Sequence, residues 1–191
     1  MHRIAIFASG NGSNAQRIIE YFSGSSEVTI ALVLCNKPGA FVISRAASLD
    51  IPSLLFTRAD LYETGRVAAV LKEQRIGFLV LAGFLWLMPV GILYAFPDRI
   101  INLHPALLPK YGGRGMYGMK VHEAVIAARE SESGITIHYV NEHYDEGQIL
   151  FQAKCAVLPS DTADTLAEKI HVLEYRWFPE VIEKALLQPG V

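Results

Sequence analysis

At 191 residues and 21.1 kDa the chain suits a single domain with a substantial apolar core. Seventeen Lys and Arg against 19 Asp and Glu leave a net charge of -2, so no global basic field attracts a nucleic-acid backbone. Charged residues make up 19% against roughly 25% in typical soluble domains, and apolar residues 51%, which excludes disorder; the mean hydropathy of +0.27 points to buried strands.

The first apolar run, Ile4 to Phe7, is too short for a secretory signal, and Cys35 and Cys155 match neither a disulfide framework nor a zinc pattern. A reducing, cytoplasmic location is expected. In chain order, periodicity predicts a strand over 3–8, a helix over 14–22 capped by Ser13 or Asn14, a strand over 28–35, a helix over 41–49 and a short strand over 52–56. One longer helix is expected over 60–74, then a buried strand over 78–82, a short helix over 90–96 and a strand over 99–103. Residues 76 to 96 carry no charge and are long enough to cross a bilayer. Gly77, Gly83, Pro89 and Gly91 interrupt them, which argues for separate strand and helix pieces.

After residue 105 the rhythm changes. A long, glycine-rich loop precedes a helix over 121–128, a hairpin-like strand pair over 134–140 and 148–157, and a helix over 162–186. Alternating strands and helices imply a mostly parallel central sheet, and the strand pair implies an antiparallel extension. The expectation is one α/β domain over 1–191.

Ser9-Gly10-Asn11-Gly12-Ser13-Asn14 lies between the first strand and first helix, where bare backbone N–H groups and the helix dipole hold anions. Gly10, Gly12 and Ala15 fit a dinucleotide fingerprint, but the second strand ends Leu34-Cys35-Asn36-Lys37, without an acid for a ribose hydroxyl. A sugar monophosphate fits better, beside the plain alternative of a tight turn. Asn102 and His104 share one side of a strand at its C-terminal end, where open α/β sheets bind ligands. An amide donor beside an imidazole suits acyl transfer; a capping Asn and a satisfied core His are the alternative. Asp145 or Glu146, before Gly147, supplies either a carboxylate for His104, which would raise the imidazole's pKa, or simple turn chemistry. Phe84 and Trp86 line an apolar pocket or pack in the core. His122 and His138 are too isolated in sequence to specify a metal.

Ser-Gly-Asn-Gly-Ser-Asn at 9–14, Leu-Ala-Gly-Phe at 81–84, Asn-Leu-His-Pro-Ala-Leu-Leu-Pro at 102–109 and the stretch ending Asp145-Glu-Gly, in this order and spacing, resemble the glycinamide ribonucleotide formyltransferases over residues 3 to about 184. The resemblance implies a Rossmann-like formyltransferase fold and transfer of a formyl group from 10-formyltetrahydrofolate to a glycinamide amine in purine synthesis, without a metal. It implies Asn102, His104 and Asp145 as the catalytic group, with Asn102 and protonated His104 stabilising the oxyanion. It places the ribonucleotide on Gly12, Ser13, Asn14 and Glu174, and the folate on Arg58, Leu85, Trp86, Leu87, Met88 and Asn102. Trp86 stands where a bacterial member has Arg, and 111–120 is unusually rich in glycine. Small-molecule substrates, no nucleic-acid or membrane partner, and a monomer or weak homodimer are expected. A methionyl-tRNA formyltransferase, a formyltetrahydrofolate hydrolase and a non-enzymatic nucleotide-binding module are the rival readings.

Overall fold

In the computed structural model, which describes residues 1–187, strands and helices alternate through the first half of the chain. These are β1 (His2–Ala8), α1 (Ser13–Tyr21), β2 (Val28–Cys35), α2 (Phe41–Ser48), β3 (Ser53–Leu55), α3 (Arg58–Tyr62), α4 (Arg66–Glu73), β4 (Phe78–Leu81), α5 (Val90–Ala95) and β5 (Ile100–His104). Then follow α6 (Met119–Ala127), β6 (Glu132–Tyr139), β7 (Ile149–Ala156) and α7 (Ala163–Leu187). The strands form one seven-stranded sheet in the order β3-β2-β1-β4-β5-β6-β7. β1 pairs in parallel with β2 and β4, β2 in parallel with β3, and β6 antiparallel with β7. The α/β class and the antiparallel extension are as the periodicity predicts.

Two compact units divide the chain, Met1–Ile101 and the residues from Asn102 onward. In the first, β1 and β4 are buried along nearly their whole length, with Ile4, Ile6, Phe7, Leu79 and Val80 fully enclosed. Apolar runs without alternation are what strands covered on both faces require. In the second, α7 packs on α6, β6 and β7, and Ile135, Ile137, Ile170 and Phe178 form the centre of the core.

Two details differ from the sequence reading. The helix expected over 60–74 is two helices, α3 and α4, because the chain turns through Gly65 at φ 71°, a left-handed conformation that glycine adopts without a Cβ penalty. Thr57 and Asp60 close a reciprocal capping box at the start of α3, whose first helical residue is Arg58. At α1 the cap is Gly12, with φ 78°, rather than the side chain of Ser13 or Asn14. The uncharged stretch 76–96 is broken into β4 and α5, and among the described residues no helix is long and apolar enough to cross a membrane.

Candidate active site

The loop after β1 is held by sterics and by one arginine. A Cβ on Gly12 would come within 2.5 Å of the Val42 side chain and 2.8 Å of its backbone, so α2 sits against the bare glycine. The Val42 N–H donates to the Gly10 carbonyl at 3.2 Å, and the Gln16 N–H closes the first turn on the Gly12 carbonyl at 2.9 Å. The N–H groups of Ser13 to Ala15 therefore lie in the first turn, ahead of any carbonyl of their own helix that they can reach. Arg45, on α2, donates to the carbonyl and side-chain oxygens of Asn11 and to Gln16. Nothing in the sequence singles out Arg45; its spacing is that of an ordinary helical residue.

The expected folate residues lie in the same unit. The Arg58 guanidinium stacks 4.8 Å above the Tyr62 ring and 5.7 Å above Trp86, and Trp86 packs edge-on against Phe56 and Phe84. Leu85 is exposed, Trp86 and Leu87 are half-buried, and Met88 is buried. Two backbone groups of this segment are already engaged, since Leu85 N–H donates to Ser9 Oγ and the Leu87 carbonyl accepts from the Tyr62 hydroxyl.

The second unit carries the cluster of reactive side chains. β5 ends at His104, whose ring is only 3% exposed. Its Nε2 lies 2.8 Å from the Tyr111 carbonyl and its Nδ1 3.5 Å from Asp145 Oδ2. Asp145 Oδ2 also accepts the Gly113 N–H at 2.9 Å, while Oδ1 faces Asn102 Nδ2 at 3.4 Å and His138 Nε2 at 3.6 Å. Of the two acids the sequence leaves open, Asp145 joins the cluster and Glu146 is exposed. The chain leaving β5 is fixed by Thr136, whose hydroxyl donates to the Ala106 carbonyl and accepts from Leu108 N–H and Gln152. Glycine is required where the loop carrying Asp145 rejoins the sheet: a Cβ on Gly147 would fall 1.7 Å from the Tyr139 carbonyl. Glu174 is buried on α7.

Electrostatics revise one expectation. Burial dominates at His104 and holds its pKa below the ordinary value, although Asp145 and the Tyr111 carbonyl push it upward. Sequence reasoning counted the carboxylate and missed the desolvation. For Asp145, burial pushes the carboxyl up, but His138, His104 and the Gly113 N–H together outweigh it and keep the pKa below the usual range. His138 is the member the sequence reading passed over. Its signal was faint: it follows Thr136 by two residues, on the same buried side of β6. Among the described residues no group of three or more His, Cys, Asp or Glu is disposed to hold a metal.

The formyl transferase family profile matches residues 2–182, across both units. A phosphoribosylglycinamide formyltransferase from Bacillus subtilis is 36% identical, the match covering 97% of this chain and 95% of that protein. The chain belongs to the formyl transferase family. The chloroplastic phosphoribosylglycinamide formyltransferase of Arabidopsis thaliana is 41% identical over 94% of this chain, which spans 64% of that relative's length. The crystal structure of phosphoribosylglycinamide formyltransferase from Bacillus halodurans superposes with a TM-score of 0.86 at 36% identity, covering 98% of this chain and 97% of that one. The cluster brings an imidazole and a carboxylate, groups that can carry a proton, beside an amide that can donate or accept a hydrogen bond.

Proposed function

We propose that residues 1–191 form one formyltransferase domain that transfers the formyl group of 10-formyltetrahydrofolate to the amine of glycinamide ribonucleotide. The observation that carries this reading is the Asp145 carboxylate held between His104 Nδ1 and Asn102 and anchored by the Gly113 N–H. Such a carboxylate orients the imidazole and offsets the positive charge that it takes up.

The ribonucleotide phosphate binds the backbone N–H groups of Gly12, Ser13 and Asn14 at the N-cap and first turn of α1, favoured by the helix dipole. The folate ring system packs on Leu85, Trp86, Leu87 and Met88 and on Arg58, where the guanidinium already lies over aromatic faces. In the reaction the amine lone pair forms a bond to the formyl carbon and the carbonyl π pair moves onto oxygen. The formyl oxygen replaces the Tyr111 carbonyl as acceptor of the His104 Nε2 proton. On collapse the bond from carbon to the folate nitrogen breaks, and that nitrogen takes up the proton released by the amine, passed through water beside Asp145. Small-molecule chemistry of this kind, in a chain whose relatives include the phosphoribosylglycinamide formyltransferase of Bacillus subtilis, suits a cytoplasmic location.

The test mixes purified protein with 10-formyltetrahydrofolate and follows folate release with and without glycinamide ribonucleotide, with the product identified by mass. Release that depends on the ribonucleotide, with one formylated product per folate, is expected. Release at the same rate without the ribonucleotide would overturn transfer in favour of hydrolysis.

A further inference from the structure

The handedness of the Asn102 amide is fixed by its neighbours. His138 Nδ1 lies 2.8 Å from the carbonyl oxygen of Tyr139, which can only accept, so Nδ1 carries the ring proton. In the neutral ring Nε2 is then the bare nitrogen, placed to accept at 3.1 Å from the Asn102 amide. The same amide atom faces Asp145 Oδ1 at 3.4 Å, and an ionised carboxylate is likewise an acceptor only. Two acceptors from two separate segments, β6 and the loop before β7, therefore require Asn102 Nδ2 at this position. With Nδ2 turned to these protein acceptors, the side-chain oxygen Oδ1 occupies the other branch of the half-buried amide.

We propose that His138 is a positioning residue that locks the Asn102 amide, and that Asn102 presents its carbonyl oxygen to accept an N–H of the attacking amine. This rests on the formyl-transfer reading and revises the expectation that Asn102 donates to the oxyanion. An acceptor on the amine N–H turns the nitrogen lone pair toward the formyl carbon, which is an orientation effect on the nucleophile. Asn102 does not take the proton, since an amide oxygen is far too weak a base; the proton leaves with the collapse described above. Stabilising the oxyanion then falls to the His104 Nε2–H. His138 itself touches neither substrate and acts through Asn102, which distinguishes it from His104 and Asp145.

Calorimetry with two ribonucleotides tests this, glycinamide ribonucleotide and its acetamide counterpart, which lacks only the amine. Wild-type transfer to glycinamide ribonucleotide is measured first; its absence overturns the formyl-transfer reading, and with it this one, before any variant is compared. Given transfer, His138→Leu is expected to weaken the amine-bearing ribonucleotide about tenfold while leaving the acetamide counterpart within twofold, because only the former loses an oriented acceptor. Its kcat falls about ten- to a hundredfold with the KM for the formyl donor unchanged. His138→Gln, whose side-chain carbonyl can accept the Asn102 N–H, restores most of both. If His138→Leu does not fold, Asn102→Ala must show the same selective loss of the amine-bearing ribonucleotide. Equal weakening of the two ribonucleotides, a loss confined to the formyl donor's KM, or His138→Gln as impaired as a folded His138→Leu would each overturn the proposal while leaving formyl transfer intact.

Discussion

The loop at 9–14 and the cluster at 102–145 are built from opposite materials. In the first, backbone does the work: α2 occupies the space a Gly12 side chain would need, and the groups without a carbonyl partner in their own helix are N–H groups of a helix end. In the second, side chains from β5, β6 and the loop before β7 hold one another by hydrogen bonds, and backbone enters as a clamp through the Tyr111 and Tyr139 carbonyls and the Gly113 N–H. A backbone site fails when atoms are added, and a side-chain site fails when a donor or acceptor is removed.

That contrast sets the order of expected effects. Asp145→Asn, which keeps size and backbone preference, is expected to lower kcat by about a hundred- to ten-thousandfold, with ribonucleotide affinity close to normal. Its residual activity carries a further sign. The Asp145 carboxylate raises the His104 pKa against the effect of burial, so removing it lowers that pKa further, and the basic limb of the pH–rate profile moves to lower pH. An unmoved limb would show that Asp145 does not set the charge of His104.

At the other site, Gly12→Val is expected to weaken ribonucleotide binding at least tenfold and to lower the Tm, because the new side chain meets Val42 and the backbone holds φ 78°. Titration calorimetry with the ribonucleotide and a thermal melt separate the two losses. Arg45→Met sharpens the comparison by removing no backbone group. It frees the Asn11 carbonyl and should raise the ribonucleotide KM only several-fold, about 1 kcal/mol, leaving kcat alone.

The smallest expected effect on turnover comes from His122, buried on α6 with its Nδ1 unpartnered. Burial, with the nearby His171 and His104, depresses its pKa to about 4 from 6.5. The folded protein keeps this ring neutral while the unfolded chain protonates it, so the contribution is fully present above pH 6.5 and is lost as pH falls toward 4. His122→Leu should flatten the pH dependence of unfolding free energy in that window by up to about 3 kcal/mol, read from urea melts at each pH.

Much of the architecture was legible because it follows local rules. The short apolar runs at 28–35 and 78–82 read as strands and are β2 and β4, and glycine and proline punctuate the uncharged stretch at 76–96 between β4 and α5. The break between α3 and α4 was not, since the amphipathic period continues across Gly65 and only the observed φ shows where the chain turns. At the site, spacing put Asn102 and His104 on one side of a strand but could not choose between Asp145 and Glu146, a choice that depends on which of the two the loop turns inward. The part played by His138 was invisible for a stronger reason. It depends on the position of one proton, fixed by the Tyr139 carbonyl, and on an amide from another strand.

Asp145 also has φ 59°, in the left-handed region. Aspartate and asparagine tolerate that backbone better than other residues with a Cβ, whereas glutamate does so poorly. The position is thus screened twice, by backbone shape and then by charge. A substitution library here should return soluble protein mainly with Asp, Asn or Gly, and turnover with Asp alone; lengthening the acid by one methylene would be penalised in folding before its chemistry came into play.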